Sequence, residues 1–459
     1  MNSTFSRKMN ILLGVHQLFH EVHTGTEVLT LGLARGMRRF GHHVEILAGA
    51  PERNVLGRRR SWMTQDDHDG FLVHRLHYGV GQRREPVLHD LTVTDRVCLV
   101  RELVSRRKPD IVHFNHIIGF SARVIPEIHE MGIPVIFTPT DYWTICPVVS
   151  LFRTYEKRHC DGPEDAVNCV RCYKPVPRFA AKLALRIGSL SRGRLGGNIE
   201  NLHALGRRVR VLVDGINAAD KILPATKFLA NILIRHGVDG HRVSVVPYGV
   251  DIGNIPDIVP VPKKFSEATP LRIGFIGTLS EMKGPHVVVD ALSIMGEGNK
   301  AVVLDIYGKL DGENPYCKKL LQKIESVRRI VHFRGLFPNE IIGEVLRGLH
   351  LLIIPSLWYE STPLVLCSAL RAGTPVLVSR LGGLTEAVNE GVNGFSFPAG
   401  DGHALSEIIS NILDDPEILI KIQGNFEVRH RSTSDYAREV ESEYLKVLTP
   451  GNWNRKVMQ

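Results

Sequence analysis

The stretch Pro355-Ser356-Leu357-Trp358-Tyr359-Glu360-Ser361-Thr362-Pro363-Leu364 has the residue types and order to hold an anion beside hydroxyl groups. It follows the apolar run Leu349–Ile354, in which only His350 is polar, and leads into a helix expected over Leu364–Arg371. A buried strand that ends in a Pro/Ser turn and opens a helix leaves backbone N–H groups aimed at one spot, which suits a phosphate. Glu360 adds a carboxylate for neighbouring hydroxyls. Phosphate together with hydroxyls points to a sugar nucleotide.

The elements that must position this stretch follow one plan in both halves of the chain. Apolar runs of strand length alternate with amphipathic helices, the pattern of a parallel sheet covered on both faces. Expected strands in the first half are Asn10–Val15, Val44–Ala48, Ile111–Phe114, Val135–Thr138, Lys221–Ala225 and Val243–Val246. In the second half they are Arg272–Ile276, Val302–Tyr307, Ile330–Phe333, Leu351–Ile354, Pro375–Val378 and Phe395–Phe397. The first helix runs from near Thr26 to Gly41, a glycine suited to the left-handed position after a helix. The proline-rich, weakly periodic segment Asp251–Pro270 reads as the linker. At 459 residues the chain exceeds what one core usually serves. Two domains are expected, 1–250 and 251–433. Ligands of such sheets sit beyond the carboxyl ends of the strands, and Gly25, Asp141, Lys283 and Glu360 all follow strands.

Composition narrows the class. No run of about 18 uncharged apolar residues spans a bilayer, and Ile11–Val15 is too short for a signal segment. Seven cysteines without an export signal fit a reducing cytoplasm. Cys160-x8-Cys169-x2-Cys172, with Cys146 upstream, has the look of a thiolate knuckle for zinc. Unrelated loop thiols are the plainer reading, and no metal is assigned. The net charge of +9 is uneven. Tyr173–Arg210 carries Lys174, Arg178, Lys182, Arg186, Arg192, Arg194, Arg207, Arg208 and Arg210 against the one acid Glu200. Such a segment is either a solvated helical face or a surface for anionic lipid headgroups at the inner membrane face. Nucleic acid is not expected, because no aromatics are interleaved for stacking. Asp67-His68-Asp69 spells a metal-binding DxD, but it sits in the charged stretch Gln65–Gly70 and reads as a solvated loop ahead of an edge strand.

Four segments in order resemble the retaining glycosyltransferases of family 4 (glycosyl transferases group 1). They are Thr24-Gly25-Thr26-Glu27 with Gly41-His42-His43-Val44; Ala219-Asp220-Lys221-Ile222 with Val246-Pro247-Tyr248-Gly249-Val250-Asp251; Gly274-Phe275-Ile276-Gly277-Thr278-Leu279 with Lys283-Gly284; and the 355–364 stretch continuing to Gly391-Val392-Asn393-Gly394-Phe395. The resemblance implies a GT-B fold, two Rossmann-like domains facing across a cleft. In that family the last helix, expected here over Ser434–Leu448 within 434–459, returns to the first domain. It also implies transfer of a sugar from a UDP- or GDP-sugar to a hydroxyl on a glycan or lipid-linked acceptor, with retention and without a cofactor or metal. Lys283 would meet the diphosphate, Glu360 the sugar hydroxyls, and the amides of Ser361, Thr362, Pro363 and Leu364 the distal phosphate. Proline lacks an N–H, so Pro363 shapes that turn rather than donating. Arg334-Gly335-Leu336 falls where the family's backbone contacts the base, and Gly25 permits close approach to the donor phosphate. Asp141, in Thr138-Pro139-Thr140-Asp141-Tyr142-Trp143, would meet the acceptor or simply cap the next turn. His113 and His116 are further acceptor candidates.

Three positions depart from the pattern. Ser368 stands where the family's ribose-binding glutamate is expected, Thr278 replaces a basic residue, and Thr140 replaces the histidine of an "HD" pair. Beside a working transferase these departures admit a non-catalytic sugar-nucleotide-binding partner subunit. The shared fold admits a sugar-nucleotide epimerase.

Overall fold

The structure, a computed structural model, describes residues 7–19, 25–50, 60–78, 91, 94–163, 166–174, 176–190, 197–253, 256–296, 301–425 and 430–449. Thr24, Arg192, Arg194 and residues 450–459, which entered the reading above, lie outside the described residues. The chain divides into two compact units, Met1–Pro247 with Thr433–Gln459, and Tyr248–Ser432.

Among its described residues the first unit has nine strands: β1 (Asn10–Val15), β2 (His43–Ala50), β3 (Trp62–His68), β4 (Phe71–His77), β5 (Ile111–Phe114), β6 (Val135–Phe137), β7 (Phe152–Arg153), β8 (Arg158–His159) and β9 (Lys221–Ile222). Seven of them form one sheet in the order β3-β4-β2-β1-β5-β6-β9, and β7 pairs with β8 alone. β1 and β5 are buried along nearly their whole length, which is why they read as continuous apolar runs rather than alternating ones. Among the described residues of this sheet only the β3–β4 pair is antiparallel, so the sheet is mixed at its edge. That hairpin corrects the reading of Gln65–Gly70: Asp67 lies in β3, its carboxylate accepts from the Gly70 amide at 3.1 Å, and Asp69 pairs with Arg35 at 2.6 Å. The expected strand Val243–Val246 reduces to a single bridge from Val243 to Ile222.

The final helix, Thr433–Leu448, belongs to this first unit. It packs on the helix Gly25–Arg39 so closely that a Cβ at Gly36 would stand 2.5 Å from the Ala437 methyl. Its Tyr444 hydroxyl pairs with His113 Nδ1 at 2.7 Å, and the other nitrogen of that ring pairs with the Thr138 hydroxyl at 2.8 Å. His42 Nε2 meets Glu441 at 2.9 Å.

The second unit has β10 (Leu271–Ile276), β11 (Val302–Tyr307), β12 (Val331–Gly335), β13 (Leu351–Ile354), β14 (Val376–Ser379) and β15 (Gly394–Phe397). All pairs are parallel, in the order β12-β11-β10-β13-β14-β15. Order therefore reverses between β10 and β13, which opens a crevice beyond their carboxyl ends. One core fills the face formed by Leu271, Ile273, Leu304, Ile306, Leu351 and Ile353. In the first unit the corresponding reversal lies between β1 and β5.

Candidate functional site

The crevice of the second unit is lined by the loop after β10 and the turn after β13. Ser280 caps the short helical turn Glu281–Lys283, accepting from the Lys283 amide at 3.4 Å. Gly284 follows with φ +70°, and a Cβ there would sit 2.0 Å from the Pro355 carbonyl oxygen. Only glycine fits. The Leu357 amide donates to the Met282 carbonyl at 2.8 Å, so the lysine loop and the 355–364 turn are laced together by backbone contacts.

That lacing sets Lys283 Nζ 2.6 Å from Glu360 Oε1. The same oxygen accepts from Ser356 Oγ at 2.8 Å and Trp358 Nε1 at 2.9 Å. The Glu360 side chain is 7% exposed and the Lys283 side chain 29%. Lys283 Nζ also lies 5.4 Å from the centre of the Trp358 ring, within reach of its negative face. The two residues assigned separate tasks from sequence thus form one ion pair. The Gly383 amide donates to the Glu360 carbonyl at 3.3 Å, holding the turn from below. The helix Leu364–Ala372 begins at Pro363, which supplies no side-chain cap. An N-terminus of this kind, beside an ammonium, favours an anion through its amides and its dipole.

The other donor candidates are differently placed. Ser368, 4% exposed, donates its hydroxyl to the Leu364 carbonyl at 2.9 Å, one turn back on its own helix. Arg334 turns its guanidinium to the fully buried Asp305, with Nε 2.6 Å from Oδ1, and Arg272 reaches the same carboxylate at 3.1 Å. Gly335 has φ +74° and gives its carbonyl to the Gly308 amide, while Leu336 is 71% exposed. Thr278 is exposed.

In the first unit the loops after β1, β5 and β6 meet. His116 Nδ1 accepts from the Ile118 amide at 3.0 Å, so its hydrogen is on Nε2, which donates to Asp141 Oδ2 at 3.1 Å. Asp141 Oδ1 accepts from the Trp143 amide at 2.8 Å, so the capping role expected of it is present. Burial works to raise the Asp141 carboxyl, but His116, the Trp143 amide and His16 together hold it below the usual carboxylate range. His16, which sequence reasoning passed over, has its ring centre 4.7 Å from that of His116, the two planes tilted by 53°. Burial, aided by His116, pushes the His16 imidazole down to about 3 against the pull of Asp141. Thr26 Oγ1, next to Gly25 at the start of its helix, donates to Thr140 Oγ1 at 3.1 Å.

Two residues leave the expected roles. His113 does not join this cluster: it is fully buried and both ring nitrogens are engaged by Tyr444 and Thr138. Arg208 is not part of a solvated face; it is 2% exposed and donates to the Trp143 carbonyl at 2.5 Å. Neither was legible from sequence, because the partners of each are distant in the chain.

Comparison with known proteins agrees with this arrangement. The profile of Glycosyl transferases group 1 matches residues 261–428. The D-inositol 3-phosphate glycosyltransferase of Streptomyces scabiei is 28% identical over 220 residues, covering 44% of this chain and 48% of that protein. That of Corynebacterium urealyticum is 30% identical over 200 residues, 40% of this chain and 46% of its own. The chain thus spans about half the length of the curated relatives it matches. Sucrose-phosphate synthase from Thermosynechococcus elongatus superposes with a TM-score of 0.65 at 15% identity, covering 95% and 99% of the two chains. Anabaena Alr3699/HepE in complex with UDP does so at 0.62 and 18%, covering 95% and 100%. These likenesses establish the GT-B fold. The profile of Glycosyltransferase Family 4 matches residues 23–254, more than half of the chain, and the chain belongs to that family.

Proposed function

We propose that the chain transfers a hexose-type sugar from a UDP- or GDP-sugar to a hydroxyl of a glycan or lipid-linked acceptor, with retention and without a catalytic metal. The observation that carries this reading is the Lys283–Glu360 pair, 2.6 Å apart at the head of a helix that Pro363 leaves without a side-chain cap. A donor diphosphate arriving there would draw the ammonium and the helix amides to its oxygens, releasing the Glu360 carboxylate to the sugar hydroxyls. Preorganised donors of this kind stabilise charge as it develops on the leaving diphosphate. The departing diphosphate would take the acceptor proton on the same face, so no side-chain nucleophile is needed. Asp141 and His116 of the first unit would orient the acceptor. His116 has both ring nitrogens engaged, so it would position the acceptor rather than deprotonate it. Anabaena Alr3699/HepE was solved with UDP-glucose, which supports a nucleotide-sugar donor.

The test is incubation with isotopically labelled UDP- and GDP-hexoses, reading nucleotide release by mass and product configuration by NMR. Slow hydrolysis or transfer with unchanged anomeric configuration supports the reading. An epimerised donor, or saturable binding with no nucleotide release, overturns it in favour of an epimerase or a binding subunit. In the same assay Ser368→Glu should tighten donor binding about ten- to a hundred-fold, the worth of one charge-assisted bond to a ribose hydroxyl. Unchanged affinity removes the ribose argument.

The acceptor reading extends to a membrane surface. Helix Arg178–Leu190 shows Phe179 at 74% and Leu183 at 54% exposure, one turn apart, with Lys182 beside them. Apolar residues set among cations suit the interface of an anionic membrane. No described helix is long and apolar enough to cross one. Phe179→Ser with Leu183→Ser should weaken co-sedimentation with phosphatidylglycerol vesicles at least about tenfold, since each side chain carries ~1.5–3 kcal/mol of burial. Equal sedimentation of both proteins would remove this helix from the proposal.

A further inference from the structure

Cys146, Cys160, Cys169 and Cys172 come from three pieces of chain and line one space of about 20 Å3, together with Leu151 and Phe152. Cys146 follows the Asp141 loop, Cys160 ends the β7–β8 ribbon, and Cys169 and Cys172 share one face of helix Ala166–Tyr173. None is in a disulfide. Cys169 lies within electrostatic reach of the other three. A space of this size holds about one atom, and its lining of four thiols, apolar groups and the Asn168 amide falls short of the two to four polar partners a water needs. The ribbon has strands of two residues each, and so small a lobe rarely supports itself without a staple.

The surrounding charge favours thiolates. Arg153, 5% exposed, and the buried Arg208 lie within electrostatic reach of the cluster, while burial pushes the Cys146, Cys169 and Cys172 thiols up in the absence of a metal. A divalent ion held by four thiolates carries a net charge of 2−, which Arg208, together with an Arg153 already paired with Glu156 at 3.4 Å, would offset in part. No group of three or more ligating side chains among the described residues is already arranged to hold an ion. Binding must therefore rearrange the Cys160 loop and the helix around the ion.

We propose that these four cysteines bind one Zn2+ as a structural tetrathiolate site. Binding forms four Zn–S bonds and releases the four thiol protons to solvent, and no electron moves. The site would pin the segment that carries Asp141, because the Cys146 amide donates to the Tyr142 carbonyl at 2.7 Å and Arg208 holds the Trp143 carbonyl. Zinc fits because it accepts four sulfur ligands in a tetrahedron without redox chemistry.

The full-length chain, purified without chelator, should contain about one zinc per chain by elemental analysis. Cys169→Ser with Cys172→Ser should lose it, whereas Cys98→Ser, at an exposed cysteine outside the cluster, should keep it. Should the double variant fail to fold, the wild-type protein decides alone. After acid removal of metal and reconstitution with Co2+, it should show thiolate charge-transfer bands and tetrahedral ligand-field bands. Absence of zinc together with absence of a cobalt spectrum in reduced protein overturns the proposal. So does full zinc retention by the double variant, or a Cys169–Cys172 disulfide in zinc-free protein purified without reductant.

Discussion

Replacing Lys283 by alanine is expected to lower kcat/KM for sugar transfer by about 10²–10³-fold, the range seen when one preorganised charge-stabilising donor is removed. The geometry gives the reason. Lys283 Nζ is held 2.6 Å from Glu360 by a loop whose Gly284 and Met282 are locked to the Pro355–Leu357 backbone, so the ammonium needs little reorganisation to meet a diphosphate. The same substitution leaves a 7%-exposed carboxylate with its Ser356 and Trp358 bonds but without its cation. A stability loss of about 1.5–3 kcal/mol should accompany the loss of activity. Glu360→Gln separates the two effects. It removes the counter-charge from the ammonium, so UDP affinity measured by calorimetry should rise or hold while turnover falls, because a neutral amide oxygen accepts from the sugar hydroxyls more weakly than a carboxylate. If Lys283→Ala keeps both UDP affinity and rate within about twofold, the pair is an ordinary ion pair and donor binding lies elsewhere.

The sequence carried the strand plan because buried parallel strands must be apolar on both faces. β1, β5, β11 and β13 run over the residues expected of them. It carried the helix start at Leu364 for a similar reason, since Pro363 fixes where a helix can begin. The edge hairpin was hidden because Trp62–His68 is half polar and solvated, leaving weak periodicity. The ion pair was hidden because Lys283 and Glu360 are 77 residues apart and each has a sufficient local explanation. His16 carried no signal at all. Its place beside His116 follows from the adjacency of β1 and β5, which is a property of strand order and not of either segment. Ser368 shows the converse. Its position within a motif suggested a ligand contact, yet its hydroxyl finds a partner one helical turn away.

The second large effect is loss of stability in mild acid, centred on His113. Complete burial pushes this imidazole down to about 3 from 6.5 in the unfolded chain. Below pH 6.5 the unfolded state therefore binds a proton that the folded state refuses, so stability must fall as pH falls. The contribution is fully present above pH 6.5 and is lost progressively from there to about pH 3, at ~1.4 kcal/mol per pH unit. By pH 5 the loss from this one group is about 2 kcal/mol. His16, pushed down to about 3 as well, adds a similar slope over the same window. His113 cannot accept the proton cheaply, because both ring nitrogens already pair with hydroxyls in a fully buried site between β5 and the final helix. His113→Phe should lower stability at pH 7, since Tyr444 and Thr138 each lose a partner, yet flatten the dependence between pH 6.5 and 5 by ~1.4 kcal/mol per pH unit. Hydrogen exchange of the Ile111–Phe114 amides at several pH values reads this locally, apart from the unfolding of the second unit. An unchanged slope in the variant would mean that His113 takes up its proton without opening the fold, and the lock on the final helix would then be looser than its distances imply.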